Sequence, residues 1–169
     1  MWVPVPRSSC HSSRGRGGSP SEMVTIRVST VVPAAPAAVW EDLRHIGRHV
    51  DWMSDAESIR ILTEDTEGVG VRFDCVTRIG PVRLTDHMEV TDWREGEVMG
   101  IRHSGVVSGT GQFRLSACEG PEGAVYTRFE WTESLRFGWW MGGRVGAALA
   151  RPALRAVWAR NLRRFAVRF

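Results

Sequence analysis

Three ionisable residues occupy positions where an alternating strand pattern calls for an inward-facing apolar side chain. They are Asp86, His103 and Glu133. Successive side chains of a strand point to opposite faces, so residues two apart share a face. The residues that share their faces are Leu84, Met88, Val90, Met99, Ile101, Val125, Thr127, Phe129, Trp131 and Leu135. The pattern therefore predicts three ionisable groups on an otherwise apolar inner surface.

These residue types suit proton transfer. An imidazole can transfer protons near neutral pH, and a carboxylate can orient it or polarise a ligand carbonyl. An inward ionisable group without a partner is costly, and its pKa is expected to shift. The candidate catalytic residues are thus His103, Glu133 and Asp86. Alternatively, they lie at strand ends near a cavity mouth, where water solvates them. The sequence favours this second interpretation for catalysis and leaves ligand contact undecided.

The segments that must position these residues form a series of strands. Gly and Pro residues, such as Gly80-Pro81 and Gly120-Pro121, break the alternating pattern at short intervals, which is turn chemistry. Short breaks between long strands indicate an antiparallel meander. The predicted strands cover about 58–64, 69–79, 82–93, 97–104, 106–118 and 124–135.

The flanking elements complete one domain. A first strand is expected over 24–32, and Pro36 suits the first turn of a helix that follows it. A second short helical piece is expected over 45–53, and a long amphipathic helix over 142–169, kinked or restarted at Pro152. Because two short helices interrupt the hairpin succession, the first strand must pair at an edge far from its sequence neighbour. The expected apolar stripe of the last helix comprises Val145, Leu149, Leu154, Val157, Trp158, Leu162, Phe165 and Phe169.

This order of elements, together with several local motifs, resembles the START-like (SRPBCC) superfamily and its bacterial polyketide cyclase/dehydrase and lipid transport-like branch. The resemblance spans roughly Met23 to Phe169. The motifs that carry it are Val28–Trp40, Asp51-Trp52, Gly68–Gly70, Asp86–Val90, Trp131–Glu133 and Phe137–Trp140. It implies an α+β helix-grip fold, in which a curved antiparallel sheet of about seven strands, two short helices and a long C-terminal helix enclose an apolar cavity.

The resemblance implies a ligand cavity more strongly than an activity, because the branch includes both ligand carriers and cyclases. We expect binding or transport of an apolar small molecule such as a lipid, a polyketide or an aromatic compound. The alternative is a polyketide cyclase or dehydratase that uses general acid–base residues in the cavity. The expected ligand-binding residues are Met88, Met99, Ile101, His103, Phe113, Phe129, Trp131, Glu133, Trp139 and Trp140.

A second alternative is a membrane-surface interaction protein. The segment around Trp139 and Trp140 could form a hydrophobic lip, and the last helix carries seven arginines and no acidic residue. However, its apolar stripe is already needed to close the sheet, so its arginines are better explained as a solvated outer face. The aromatic segment is likewise better explained as core. Membrane contact is therefore not favoured.

Metal and cofactor motifs are weak. His45 and His49 stand at i and i+4, a spacing that can place two imidazoles on one metal. The glutamate of the HExxH motif is missing and no third ligand is evident, so both are interpreted as surface histidines. Gly105, Gly109 and Gly111 precede no helix and cannot form a phosphate loop. They are interpreted as allowing strand curvature or close packing of the last helix. No metal or cofactor is predicted.

Composition narrows the remaining classes of protein to which the chain could belong. Residues 1–22 are rich in Ser, Arg, Gly and Pro, so we expect a disordered N-terminal tail, with Met23 as a possible start. Three scattered cysteines and no apolar leader fit a cytoplasmic protein. All 22 basic residues are arginines, but a net charge of +3 without a recognition motif argues against nucleic acid. Oligomeric state is left open.

Overall fold

The computed structural model describes residues 23–137 and 143–169. Within these ranges, seven strands form one antiparallel sheet in the order β1-β7-β6-β5-β4-β3-β2. The curved sheet, the short helices and the C-terminal helix confirm the predicted helix-grip fold. The bounds are β1 Met23–Val32, β2 Ala56–Ile61, β3 Arg72–Ile79, β4 Val82–Arg94, β5 Val98–Ser104, β6 Val107–Glu119 and β7 Val125–Phe137.

The position of the first strand follows from the helices that come after it. Helix α1 (Pro36–Leu43) and a 3₁₀ helix (Ile46–Asp51) separate β1 from β2, so the two cannot form a hairpin. Instead β1 pairs antiparallel with β7 along its whole length. This confirms the predicted distant edge, and it leaves β1 and β2 at the two ends of the sheet.

Helix α2 (Gly143–Ala166) packs against β1 and β7. It buries Trp158, Leu162 and Phe165, which are spaced by four and three residues and so lie on one face. The helix runs continuously through Pro152, so of the predicted kink or restart the restart is wrong, and the kink stays a prediction. Leu149 is also wrongly placed in the apolar stripe, since 74% of it is exposed.

A buried amide fixes the second half of α2. Asn161 is fully buried, and its Oδ1 accepts hydrogen bonds from the Ser54 backbone N–H (2.9 Å) and the Ser54 hydroxyl (2.8 Å). Its Nδ2 donates to Asp55 Oδ1 (2.6 Å). Buried polar groups must be paired, so these bonds position α2 against the segment that precedes β2. The sequence analysis did not single out Asn161.

The core beneath α2 is built from aromatic rings. Trp52, Phe113, Phe129, Trp131 and Phe165 contact one another with ring centroids 5.2–6.4 Å apart. Each such contact contributes about 0.5–1.5 kcal/mol beyond the buried area.

No helix in the described part of the chain is long and apolar enough to cross a membrane. The predictions for residues 1–22, Trp139 and Trp140 lie outside the described residues.

Candidate ligand cavity and its buried ion cluster

A cavity of about 310 Å³ lies between the inner face of the sheet and the first half of α2. Small-molecule pockets span roughly 300–1,000 Å³, so this volume suits a small ligand. Val82 and Ala153 line the cavity and are also exposed, so it reaches the surface between the start of β4 and α2. Seven of the predicted ligand-binding residues line it: Met88, Met99, Ile101, His103, Phe113, Trp131 and Glu133.

Two inward placements need correction. Phe129 is fully buried but does not line the cavity, because its ring packs against Phe113 and Phe165 in the aromatic core. Val125 opens β7 beyond the core, and 57% of it is exposed although its strand parity is that of Phe129. Parity therefore identifies the face of the sheet, but it does not tell which residues on that face border the cavity.

Asp86, His103 and Glu133 meet in the cavity wall. His103 Nδ1 lies 3.2 Å from Asp86 Oδ2, and His103 Nε2 lies 3.1 Å from Glu133 Oε2. His103 is 7% exposed and Glu133 3% exposed. The predicted inward orientation is confirmed, and His103 and Glu133 are buried in the wall instead of being exposed near strand ends as the alternative required. We call these three residues the ion cluster.

Glycines on β6 and after β5 make the ion cluster possible. Glu133 on β7 pairs with Gly111 on β6, and β6 separates it from His103 on β5. A Cβ added to Gly111 would lie 2.5 Å from Glu133 Oε1, and one added to Gly105 would lie 2.9 Å from Asp86 Oδ1. The carboxyl groups occupy the space that these side chains would fill. Packing of the last helix, as suggested from the sequence, is not the reason for either glycine.

His103 is held as an imidazolium. Burial would lower its pKa, but the hydrogen bonds and charges of Asp86 and Glu133 outweigh that effect and raise the pKa to about 10. Each ring nitrogen faces a carboxylate oxygen, so both N–H groups can donate.

Trp131 connects the ion cluster to α2. Its Nε1–H donates to Glu133 Oε1 at 2.7 Å, and its ring stacks on Trp158 with centroids 5.2 Å apart. Both oxygens of Glu133 are therefore occupied. Asp86 differs, because its Oδ1 is buried and has no hydrogen-bond partner among the described residues. Of the four carboxylate oxygens in the ion cluster, this is the one without a partner among the described residues, and it lies beside Gly105.

His49 is not a surface residue, contrary to the sequence interpretation. It is 4% exposed, lines the cavity, and its Nε2–H donates to the Leu43 carbonyl at 2.7 Å. Burial lowers its pKa to about 4, so the ring is neutral. Ile46 and His49, the two buried residues of the 3₁₀ helix, are three residues apart, which is one 3₁₀ turn, but the helix is too short for this spacing to stand out in the sequence.

His45 lies apart from His49 and pairs with Glu67, with Nδ1 3.2 Å from Oε1. The i, i+4 spacing therefore does not bring the two imidazoles together. Among residues 23–137 and 143–169, no three His, Cys, Asp or Glu side chains are grouped to hold a metal ion. The 3₁₀ geometry explains the separation, because it does not place i and i+4 one above the other as an α-helix does.

Cys75 is a further lining residue that the sequence analysis missed. Burial raises the pKa of its thiol to about 11, so it stays protonated and behaves as a small apolar group. Its alternation with Phe73 on β3 is the signal that indicated an inward position. It adds to the apolar wall and supplies no nucleophile.

Solved structures share this architecture at low sequence identity. Protein TTHA0849 from Thermus thermophilus superposes with a TM-score of 0.72 at 16% identity, over 86% of this chain and 96% of that chain. The Zhui aromatase/cyclase from Streptomyces gives a TM-score of 0.65 at 21% identity, over 86% and 93%. XoxI from Bacillus cereus gives 0.65 at 15%, over 86% and 94%. These likenesses support the fold.

No curated protein sequence matches the chain. The family profile described as "Polyketide cyclase / dehydrase and lipid transport" matches residues 23–169. This match covers every strand and helix around the cavity, and it agrees with the resemblance noted in the sequence. The chain belongs to the polyketide cyclase/dehydrase and lipid transport family of START-like proteins.

Proposed function

We propose that the domain binds an apolar small molecule in the cavity and sequesters or transfers it. The observation that carries this proposal is the cavity itself: about 310 Å³ of space, bordered mainly by apolar side chains and reaching the surface beside Ala153. Burial of apolar ligand surface contributes roughly 25 cal/mol per Å². A lipid, polyketide or aromatic compound would gain most from such a wall.

The geometry of His103 favours a carrier over a catalyst. A general base needs a free lone pair within hydrogen-bond reach of the proton that it removes. Both ring nitrogens of His103 already face carboxylates, and its raised pKa keeps both protonated. The imidazole therefore cannot accept a proton from a ligand in this arrangement.

Native mass spectrometry of gently purified protein tests the proposal. We expect a mass increment that corresponds to a small molecule and disappears after extraction with organic solvent. Ala153→Trp should reduce this increment by filling the cavity at its mouth. Ala156→Trp is the matched control, because Ala156 is exposed on the same helix and does not line the cavity. The proposal would be refuted if every preparation contained unliganded protein and if Ala153→Trp did not change the binding of added apolar compounds.

A cyclase or dehydratase is the second candidate function. It is favoured by the buried ion cluster in the cavity wall, and the family description and the Zhui aromatase/cyclase point the same way. In this reaction Asp86 would accept a proton from a hydroxylated or poly-keto substrate. His103 and Glu133 would stabilise the charge state of Asp86.

Turnover of an identified substrate distinguishes this candidate. His103→Ala and Glu133→Gln should each lower kcat, because each variant removes a group that stabilises the charge state of the base Asp86. Unchanged turnover in both variants would remove the candidate. The carrier proposal would then stand alone, because it needs the cavity and not the ion cluster.

A further inference from the structure

The accessible surface of the cavity is mainly apolar. Its larger half-buried apolar side chains are aliphatic or thioether groups, and they are Met53, Ile59, Leu84, Met88, Ile101 and Leu154. Met88 and Ile101 point inward from β4 and β5, which are central strands of the sheet, so their accessible area faces the cavity. A ligand therefore contacts hydrocarbon and sulfur atoms, and flexible Met side chains can adapt to either a chain or a ring.

The ion cluster contributes little to this accessible surface. His103 and Glu133 are 7% and 3% exposed, and their polar atoms bond to each other, to Asp86 and to Trp131. The remaining oxygen, Asp86 Oδ1, is buried beside Gly105. The ion cluster therefore presents no free polar atom to a ligand.

The far end of the cavity, around Met88 and Phe113, is apolar among the described lining residues except for His49. The mouth lies at the start of β4, whereas Met88 lies further along that strand, and the His49 ring contacts Phe113. His49 is 4% exposed, and its Nε2–H donates to the Leu43 carbonyl. Only its Nδ1 keeps a lone pair without a hydrogen bond to a described residue. A ligand hydroxyl at the far end would find at most this one recessed partner.

Two polar lining residues lie at the mouth. Asp55 directly precedes β2, and Thr77 lies near the end of β3 opposite Ala56. Both are half-buried. Asn161 fixes Asp55 through a bond to Oδ1 (2.6 Å), whereas the Thr77 hydroxyl has a weak partner, Cys75 Sγ at 3.7 Å. The accessible hydrogen-bonding groups of the cavity therefore lie where a ligand also meets water.

The cavity thus changes from polar at its mouth to apolar at its far end. A hydroxyl or carbonyl group that is buried without a partner loses its hydrogen bonds to water, whereas one at the mouth keeps them. Building on the proposed cavity binding, we infer that the ligand is an amphiphile whose polar group lies at one end and stays at the mouth, beside Asp55 and Thr77. Its apolar end fills the far end. Lipids with one polar end fit this arrangement, whereas a poly-keto chain, which is polar along its whole length, does not.

Two isomeric alcohols, 1-decanol and 5-decanol, test the inference by titration calorimetry at pH 7. Their composition is the same, so they differ in the position of the hydroxyl group. 1-Decanol can leave its hydroxyl at the mouth, whereas 5-decanol must carry it into the apolar part of the cavity. We expect 1-decanol to bind at least about fivefold more tightly, as the cost of burying an unpaired hydroxyl requires. Equal affinities, or tighter binding of 5-decanol, would overturn the inference.

Met88→Gln separates the effect of polarity from that of chain shape. The Gln side chain has nearly the length of Met and supplies an amide at the far end. The affinity for 5-decanol should therefore rise at least about threefold relative to that for 1-decanol. A preference that came from chain shape alone would not change, and this result would overturn the inference. Met23→Gln is the matched control, because Met23 is 54% exposed and does not line the cavity.

His49→Phe covers the case in which Met88→Gln does not fold. The Phe ring keeps the aromatic contacts with Trp52 and Phe113 but has no lone pair. The preference for 1-decanol should stay the same. A loss of affinity for 5-decanol alone would reveal a polar anchor at the far end and overturn the inference.

Native mass spectrometry separates the inference from the proposed function. If a co-purified molecule carries polar groups along its whole length, the inference fails and the cavity proposal stands. If neither decanol binds and no small molecule co-purifies, the cavity proposal itself fails.

Discussion

Two histidine–carboxylate contacts lie on opposite faces of the sheet, and strand β4 contributes a residue to each. On the inner face, His103 bridges Asp86 and Glu133 within the cavity wall. On the outer face, His87 Nδ1 lies 2.6 Å from Asp74 Oδ1. Asp74 and His87 are direct cross-strand partners of β3 and β4, and the next pair along the ladder is Cys75 with Asp86. Asp86 in the buried contact and His87 in the exposed contact are therefore adjacent in the sequence.

The difference lies in water and not in residue type. The His87 side chain is 58% exposed, so solvent screens its contact with Asp74. Hydrogen bonds from His87 and Arg60 lower the pKa of Asp74, but either partner can be replaced by water. In the ion cluster His103 is 7% exposed and Glu133 3% exposed, so solvent screens these charges far less and each depends more on the others. This contrast leads to predictions of decreasing size.

Removing the central charge of the ion cluster should have the largest effect. His103→Leu leaves Asp86 and Glu133 buried without their shared cation, and breaking a buried ion pair costs about 3–5 kcal/mol. The free energy of unfolding, measured by urea denaturation, should fall by that amount. His87→Leu makes the same chemical change on the outer face and should cost less than about 1 kcal/mol. Equal losses of unfolding free energy in the two variants would contradict the contrast between the inner and the outer contact.

Stability should depend on pH in opposite directions through two buried histidines. The pKa of His103 is raised to about 10 from an unfolded value of about 6.5. Its stabilisation is therefore complete below pH 6.5 and is lost as the pH rises through 10. The pKa of His49 is lowered to about 4, so stability falls as the pH drops from 6.5 toward 4. Each slope approaches about 1.4 kcal/mol per pH unit.

Urea denaturation over a series of pH values separates the two slopes. His103→Leu should flatten the alkaline slope and retain the acidic one, whereas His49→Phe should do the reverse. The acidic slope is read between about pH 5 and 6.5, because the carboxylates titrate mostly below that range. A wild-type profile that stays flat between pH 7 and 9 would show that His103 is not held as an imidazolium.

Replacing Gly111, which pairs with Glu133, should lower the free energy of unfolding almost as much as removing the charge of His103. In Gly111→Ala the new Cβ would lie 2.5 Å from Glu133 Oε1, and Trp131 and His103 prevent that carboxyl group from moving freely. We expect a loss of about 1–3 kcal/mol in the free energy of unfolding, as for other overpacked sites. Gly47→Ala is the control, because no atom lies within 4 Å of its added Cβ.

A double-mutant cycle with Glu133→Ala checks the cause of that loss. If the clash with the carboxyl group is responsible, Gly111→Ala should cost at least about 1 kcal/mol less in the Glu133→Ala background. Additive losses would mean that the strain lies in the backbone of β6. The pairing of Gly111 with Glu133 would then play no part in assembling the ion cluster.

The ion cluster shows what the sequence could predict. Alternation is a local property, and it was enough to place Asp86, His103 and Glu133 on one face and to outline the strands. The reach of Glu133 to His103 depends on the register of three strands and on Gly111 between them. Register is set by non-local pairing, so the distances within the cluster could not be read from the chain.

His49 was missed for a different reason. A six-residue 3₁₀ helix offers too few turns for a periodic pattern to stand out. Histidine is also common both on surfaces and in cores, so its type did not decide the matter. Its burial comes from the packing of Trp52 and Phe113 around the ring, which only the tertiary structure brings together.

The smallest effect is expected on the outer face, and it tests whether the two contacts are independent. A double-mutant cycle of His87→Ala and Asp74→Asn should give a small coupling energy that shrinks further as salt is raised, because the Debye length falls from roughly 10 Å at 0.1 M to 3 Å at 1 M. A cycle of His103→Leu and Glu133→Gln should give a larger coupling that salt barely alters, since water and ions do not enter the wall. If salt weakened both couplings equally, solvent would screen the ion cluster as strongly as the outer contact, and the contrast between the two faces would be wrong.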